Sequence, residues 1–320
     1  MESRENPLFG RKIFFVCPSF VMEKYLIEYL KKNEYEIYII KEIRKLKHVL
    51  SEFPDSMCFI NIDSEYTYSQ WFNFMNSVNQ SDFLKTIYLG ILTEQNDWEA
   101  KDKFLMNIKL PGGFTVFKKD EKALQSFAAI LDLNGAKGRR KYLRLDTKGA
   151  RDVSGYMTFQ GKLYSFDFKD ISSAGFAIIY KKEIANLFQK NTHVKNLCVS
   201  AGNKSMVCSC IVFNTQINPD GTAMSVLMLT NENPESTRTY IQNYIFARNE
   251  MKMRDVISKA ENDTDSYKEP DEYSKIEAVR NRNYDELALL EDIESMEDPD
   301  SITDKENNIL AGRDLDSDLL

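Results

Sequence analysis

Histidine, cysteine, proline and glycine are all scarce in this chain. Its 320 residues include 2 histidines, 5 cysteines, 8 prolines and 13 glycines. Two histidines are too few for a histidine-rich metal site or a chain of proton carriers. The cysteines form no Cys-x-x-Cys pair, so neither a zinc site nor a dithiol redox centre is expected. Because glycine and proline are rare, most of the chain is expected to pack into cores rather than form linkers.

Long apolar runs and catalytic motifs are missing as well. No run approaches the roughly 20 apolar residues that cross a bilayer, and residues 1–9 lack the apolar core of a signal peptide. We therefore expect a cytoplasmic protein without a membrane span. The chain also has no glycine-rich phosphate loop, no Gly-x-Ser-x-Gly elbow and no His-Glu-x-x-His. These absences predict a protein that is not an enzyme and that holds no metal or cofactor.

Negative charge is concentrated at the end of the chain. The formal net charge is −7, and residues 261–320 carry 20 acidic and 6 basic side chains, a net of −14. Residues 1–260 therefore carry +7. A basic body favours anionic ligands, and the acidic tail could screen that body or bind a partner. The composition predicts a largely disordered tail over 259–320, in which residues 276–293 could form an amphipathic helix.

Residues 11–130 alternate between short apolar runs and longer segments of helical periodicity. Helical segments are predicted at 20–32, 41–53 and 122–133. The order βαβαβαβαβα predicts a doubly wound parallel sheet with helices on both faces, over about residues 8–134. The apolar runs are typical of buried parallel strands and lie at 12–17, 35–40, 57–62, 86–92 and 114–117.

The pattern changes after residue 150. Short strands without intervening helices predict a small antiparallel barrel. Gly161 and the run Asn218-Pro219-Asp220-Gly221 are typical hairpin turns between such strands. An amphipathic helix is predicted over 234–258, with Tyr240, Ile241, Tyr244 and Ile245 packed on the barrel. The predicted strands of the barrel lie at 155–160, 162–167, 176–180, 204–215 and 222–230.

Two polar clusters flank the start of this barrel. Residues 138–144 read Gly-Arg-Arg-Lys-Tyr-Leu-Arg, and residues 170–175 read Asp-Ile-Ser-Ser-Ala-Gly. Residues four apart in an extended segment point to the same side, so Arg140 and Arg144 could converge on one ligand. A guanidinium pairs with phosphate oxygens or with O6 and N7 of guanine, and the carboxylate of Asp170 can accept from guanine N–H groups. Either cluster alone is ordinary, a basic junction or a turn between strands.

Together, the two clusters resemble the signature of the PilZ domain family, Arg-x-x-x-Arg followed by Asp/Asn-x-Ser-x-x-Gly. The resemblance covers about residues 138–250 and includes the order of barrel and helix. It implies a six-stranded antiparallel β-barrel that is a receptor for cyclic di-GMP. A later Gly-x-x-Phe feature of the family is replaced here by Ala223-Met224-Ser225-Val226. The ligand-binding residues that the resemblance implies are Arg139, Arg140, Arg144, Asp170, Ser172 and Gly175.

The N-terminal domain resembles a response-regulator receiver in part. Asp63, Thr93 and Lys118 follow the third, fourth and fifth strands, where that family has its phosphate acceptor, switch hydroxyl and phosphate-binding lysine. Phosphotransfer also needs magnesium, which acidic residues after the first strand would hold. Those positions read Cys17-Pro18-Ser19. We therefore predict a pseudo-receiver that serves as a scaffold or docking surface.

These observations predict a cyclic di-GMP receptor with a pseudo-receiver at 8–134, a PilZ-like barrel at 138–258 and an acidic tail. Ligand binding would fix the orientation of the two domains, and the resemblance implies a role in motility or host adaptation. An unidentified protein partner is expected on the pseudo-receiver or the tail. The composition suggests an AT-rich bacterial genome, and with the domain pairing the chain looks like a spirochaete PilZ protein.

Two other functions fit the same sequence. The first is a protein-interaction adaptor, in which a degenerate barrel binds no nucleotide and the pseudo-receiver and tail recruit partners. The second is nucleic-acid binding by the basic body. It is disfavoured because the positive charge is scattered rather than gathered into a stripe with interleaved aromatic residues.

Overall fold

The computed structural model describes residues 10–148 and 150–263. Five parallel strands come first: β1 (Ile13–Val16), β2 (Ile37–Ile40), β3 (Met57–Asn61), β4 (Tyr88–Thr93) and β5 (Phe114–Val116). They lie in the order β2-β1-β3-β4-β5. Every residue of β1 and β3 is buried, as expected for central strands that helices cover on both faces.

Helices connect these strands. A π-helical turn, Met22–Ile27, continues directly into α1 (Glu28–Lys32), and a 3₁₀ turn, Ile43–Lys45, leads into α2 (Leu46–Glu52). The longer helices are α3 (Tyr68–Gln80), α4 (Trp98–Asn107) and α5 (Glu121–Leu133). Each of these three begins at a residue whose side chain accepts a backbone N–H: Thr67, Asp97 and Asp120.

The two faces of the parallel sheet carry separate cores, because successive residues of a strand point to opposite faces. Phe14 packs on the side of α3, in the same buried cluster as Trp71. Phe15 points to the other side and stacks near Phe59, which meets Phe127 of α5 at 4.9 Å between ring centroids. This layered arrangement is the predicted α/β domain.

Seven antiparallel strands follow: β6 (Arg144–Asp146), β7 (Val153–Phe159), β8 (Lys162–Ser172), β9 (Gly175–Lys181), β10 (His193–Ala201), β11 (Lys204–Ile217) and β12 (Thr222–Leu229). The order β8-β7-β10-β11-β12-β9 closes on itself because β8 also pairs with β9. β6 adds to the ring by pairing with β8. A 3₁₀ segment, Lys182–Phe188, places Phe188 inside the ring, against Phe166 and Tyr180.

The last described helix, α6 (Glu235–Lys259), spans both halves of the molecule. Its first half packs on the barrel through Ile241, Tyr244 and Ile245. Its second half reaches the core of the α/β domain, where Met253 is buried. Among the described residues, no helix combines the length and apolar character that a membrane span requires.

The predicted order of an α/β domain, an antiparallel barrel and a trailing helix is confirmed. The strand β10 was not predicted, because its apolar alternation is interrupted at Lys195 and Asn196. Asn196 has a left-handed backbone (φ 64°) and the pairing with β11 shifts there. The strand begins at His193.

The predicted turn at 170–175 is also wrong in extent, since Asp170 and Ser172 belong to β8 and only Ser173 and Ala174 separate the strands. Residues 8 and 9 of the predicted first domain, most of the predicted tail and the amphipathic stretch at 276–293 lie outside the described residues.

Candidate functional site

A cleft of about 260 Å³ opens at the junction of the two domains, where the chain passes from α5 into the barrel. Arg140, Arg144 and Asp170 all line this cleft. Leu143, in the same segment as the two arginines, also lines the cleft, and its backbone N–H donates to Glu34. The eight charged residues of the lining are Lys137, Arg140, Arg144, Lys169, Glu34, Glu36, Asp146 and Asp170.

Strand pairing brings Arg144 and Asp170 together. β6 and β8 are antiparallel, with Asp146 opposite Asp170 and Arg144 opposite Ser172. The Arg144 guanidinium (Nη1) lies 3.4 Å from Oδ1 of Asp170, and both side chains are partly exposed. An exposed pair at this distance contributes little to stability. Both groups therefore retain hydrogen-bonding capacity for a ligand.

An irregularity in β8 places two neighbouring side chains at the cleft. Consecutive residues of a regular strand point to opposite faces, yet Lys169 and Asp170 both line the cleft. The pairing of β8 with β9 shifts between Phe168 and Asp170. Bulges of this kind re-aim side chains and are frequent beside functional sites.

Ser172 and Gly175 shape the turn rather than face the cleft. Ser172 is buried, and its hydroxyl donates to the carbonyl oxygen of Gly175 at 3.1 Å. A Cβ on Gly175 would lie 2.0 Å from the carbonyl oxygen of Leu227. Only glycine allows β9 to approach β12 this closely at this point.

Arg139 lies beside the cleft rather than in it. Its side chain is exposed and lines a shallow depression next to Asp132 and Lys141. Arg140 borders both spaces. The structure therefore brings together Arg140, Arg144 and Asp170 of the six predicted site residues, while the other three lie around them.

Two residues that the sequence did not indicate hold the turn at Ser173. Arg238 of α6 donates to the carbonyl oxygens of Ser173, Leu229 and Thr230 at 3.2, 2.9 and 3.1 Å. Glu34 of the α/β domain accepts from the Ser173 hydroxyl at 2.5 Å. Neither belongs to a local motif, because each reaches the turn only through the tertiary fold.

The Glu34 carboxylate is held inside the junction. Its second oxygen accepts the backbone N–H of Leu143 at 3.1 Å. Burial raises the pKa of this carboxyl, and the hydrogen bonds from Ser173 and Leu143 oppose that shift. A carboxylate from the first domain thus contacts both polar clusters of the second.

Another group of polar side chains, separate from the two clusters at the cleft, lies at the carboxyl edge of the parallel sheet. Asp63 accepts the Thr93 hydroxyl on one oxygen and the Glu94 backbone N–H on the other, each at 2.6 Å. Burial raises the pKa of the Asp63 carboxyl, against the effect of these bonds. Glu94 in turn accepts from the Ser19 hydroxyl. Lys118, two residues after β5, is exposed.

Metal binding finds no support at this edge. Within residues 10–148 and 150–263, no three His, Cys, Asp or Glu side chains are grouped closely enough to hold a metal ion. The positions after β1 that would supply acidic ligands are Cys17, Pro18 and Ser19. The residues present therefore do not fit a magnesium-dependent phosphotransfer site.

The fold and the cleft define a two-domain protein whose basic segment enters a closed antiparallel barrel beside an acidic residue of the neighbouring domain. No family model matches the chain, and no curated protein matches it.

Parts of the chain are similar to several solved structures. One is the K. pneumonia MrkH complex with c-di-GMP, at 18% identity over 38% of this chain and 57% of that one, with a TM-score of 0.34. Another is the PilZ domain of Escherichia coli YcgR with c-di-GMP, at 16% identity over 38% and 99%, with a TM-score of 0.32. A third is Borreliella burgdorferi PlzA with c-di-GMP, at 16% identity over 41% and 50%, with a TM-score of 0.26.

This chain spans little more than half of the MrkH structure that it matches. Because these TM-scores and sequence identities are low, the similarities assign neither the fold nor the ligand of those structures to this chain.

Proposed function

We propose that this protein is a cyclic di-GMP receptor whose ligand binds at the junction of its two domains. The observation that carries the proposal is the convergence of Arg140, Arg144 and Asp170 on one cleft. Arg140 and Arg144 belong to the first polar cluster of the PilZ-like signature, and Asp170 belongs to the second. Arg144 and Asp170 are 26 residues apart in the sequence.

The chemistry of the cleft suits a cyclic guanine dinucleotide. Arg140 and Arg144 can each form forked hydrogen bonds with a phosphodiester or with the O6 and N7 of guanine, and can stack on the purine. Asp170 can accept hydrogen bonds from the N1–H and the amino group of a guanine once its long contact with Arg144 is broken. Micromolar affinity corresponds to about −8 kcal/mol, and charge-assisted hydrogen bonds contribute about 1.5–3 kcal/mol each.

Binding at this place would couple the ligand to domain orientation. The cleft is lined by Glu34 and Glu36 of the α/β domain as well as by the barrel. The helix α6 connects the same two bodies through Ile245 and Met253. We infer that the α/β domain is a pseudo-receiver acting as a scaffold, in a cytoplasmic protein of spirochaete type with a role in motility or host adaptation.

Calorimetric titration of the full chain with cyclic di-GMP tests the proposal. Arg140→Ala is expected to lower the affinity by about 100-fold or more while leaving the thermal unfolding midpoint unchanged, because Arg140 is partly exposed. Arg151→Ala is the matched control, since Arg151 is an exposed arginine of the barrel that does not line the cleft. Equal affinity of the two variants would defeat the proposal.

A protein-interaction adaptor is the second candidate, and exposed apolar side chains on α4 favour it. Trp98 and Met106 are 75% and 77% exposed. We take the exposed side of this helix as the surface that a partner of the adaptor would cover. The same titration separates the candidates, because an adaptor without a nucleotide site gives no saturable heat with cyclic di-GMP.

A further inference from the structure

Glu34 connects three segments that are far apart in the sequence. Its carboxylate accepts the Leu143 N–H at 3.1 Å and the Ser173 hydroxyl at 2.5 Å. Leu143 lies between Arg140 and Arg144 in the first polar cluster, and Ser173 lies inside the second. Gln242 of α6 donates to the carbonyl oxygen of Lys31 at 3.0 Å and lies near enough to Glu34 to lower the pKa of its carboxyl. One side chain thus joins the α/β domain to both polar clusters that flank the proposed ligand site.

The backbone at Glu34 adopts an unusual conformation. Helix α1 ends at Lys32, and Glu34 follows with a left-handed backbone (φ 66°). Residues other than glycine, asparagine and aspartate rarely adopt this region. The side chain leaves its own domain and contacts Leu143 and Ser173. Glycine would form the bend with less strain, so the bend alone does not account for a glutamate at this position.

The charge of the cleft is balanced in this arrangement. Four basic residues and four acidic residues line it, and two of the acids, Glu34 and Glu36, come from the α/β domain. A cyclic dinucleotide brings two negative phosphodiesters. A carboxylate in the cleft repels this ligand, and Glu34 also occupies the backbone N–H of Leu143, a residue of the cleft lining.

The volume of the cleft points the same way. Pockets for ligands of this size have volumes of about 300–1,000 Å³, and the cleft has about 260 Å³. Burying a cyclic dinucleotide to the extent typical of such pockets therefore requires the junction to open. Opening the junction between Glu34 and the barrel would break the contacts of Glu34 with Leu143 and Ser173.

We propose that Glu34 is an intramolecular competitor of the ligand, which holds the cleft closed until cyclic di-GMP displaces it from Leu143 and Ser173. This inference rests on the proposed receptor function and adds its regulation. Glu34 acts on affinity through the two segments that it holds, so it is a positioning residue rather than a ligand-binding one. The α/β domain thereby sets the concentration of messenger at which the barrel responds.

Glu36 provides a matched control for the charge of Glu34. Both residues line the cleft and belong to the same domain. Glu36, however, pairs with Lys12 and Tyr38 of its own domain. Replacing either glutamate by glutamine removes one negative charge with almost no change in shape. Only replacement of Glu34 also weakens the contact between the domains.

The experiment compares the full-length wild type with Glu34→Gln, Glu36→Gln and Ser173→Ala by calorimetric titration with cyclic di-GMP. Hydrogen exchange without nucleotide is measured in parallel at 140–145 and 171–176. Glu34→Gln is expected to bind about tenfold more tightly and to exchange faster in both segments. Ser173→Ala removes one of these contacts from the barrel side and is expected to change both readouts in the same direction. Glu36→Gln is expected to change affinity by less than about twofold and to leave exchange unaltered.

The outcomes separate this inference from the receptor function itself. Tighter binding and faster exchange in Glu34→Gln and Ser173→Ala but not in Glu36→Gln, or binding by Glu34→Gln where the wild type shows none, supports the competitor role. Binding by all variants with equal affinity overturns that role and leaves the receptor function standing. Equal tightening by both glutamine variants shows that charge alone acts and also overturns it. No binding by any variant overturns the receptor function and this inference together.

Discussion

Asp63 and Asp170 show how differently two similar aspartates can be placed. Asp63, at the edge of the parallel sheet, is half-buried and accepts two hydrogen bonds of 2.6 Å from its own domain. Asp170, in the cleft, makes one contact of 3.4 Å to Arg144. The first carboxylate is satisfied by the fold, whereas the second retains capacity for another molecule. Of the two aspartates, Asp170 is the one that lines a cleft with only a long contact on its carboxylate.

Replacing Asp170 should lower the affinity for the nucleotide and leave the stability of the fold almost unchanged. Asp170→Ala is expected to lower the affinity for cyclic di-GMP by about 30-fold, or about 2 kcal/mol, because a guanine loses its acceptor. The free energy of unfolding should change little, since the pair with Arg144 is partly exposed. Calorimetry and urea unfolding measure the two effects. Asp167→Ala, an exposed aspartate of the same strand, is the control, and an equal loss of affinity there would contradict the assignment.

Replacing Asp63 should have the opposite effect. Asp63→Ala removes the acceptor of Thr93 and of the Glu94 N–H, and is expected to cost about 1–2 kcal/mol of unfolding free energy in urea titration. The affinity for cyclic di-GMP should stay within about twofold of wild type. Asp55→Ala, in an exposed turn of the same domain, controls for charge. Loss of nucleotide binding in Asp63→Ala with unchanged stability would reverse the comparison.

Ser172 lies between these two cases, since it belongs to the motif but donates within its own turn. Ser172→Ala is expected to cost about 1 kcal/mol of stability, because the Gly175 carbonyl loses its donor. The accompanying loss of affinity should be smaller than that of Asp170→Ala. Urea unfolding and calorimetry of this variant, with exposed Ser165→Ala as control, check both values. A loss of affinity as large as that of Asp170→Ala would assign the hydroxyl to the ligand.

The smallest effect is a dependence of stability on pH at Asp63. Burial raises the pKa of this carboxyl in the folded protein. Its ionisation therefore destabilises the fold above the raised pKa, and the penalty is lost below the unfolded value of about 3.9. Wild type should gain stability relative to Asp63→Asn as the pH falls through this window. Parallel unfolding curves at each pH measure the difference, and a relative loss of stability on acidification would contradict the direction of the shift.

Periodicity was sufficient to predict the two sheets and the trailing helix, because both cores are built from apolar residues that repeat at the spacing of their elements. The motif pair was sufficient to identify Arg140, Arg144 and Asp170 as neighbours. Strand β10 escaped prediction because a left-handed Asn196 interrupts its alternation.

Glu34 and Arg238 could not be predicted by any local pattern. Glu34 precedes Ser173 by 139 residues, and Arg238 follows it by 65. Their contacts depend on how the two domains and α6 pack, which a single sequence does not encode in its spacing. The unpredicted part of the site is therefore the part that crosses domains.

Hydrogen exchange of the full chain with and without cyclic di-GMP tests the central claim most directly. We predict slower exchange at 138–144 and 170–175 when the nucleotide is added, and no change around Asp63 or Thr93. No change in the first two segments at saturating nucleotide, or protection confined to the edge of the parallel sheet, would contradict the account.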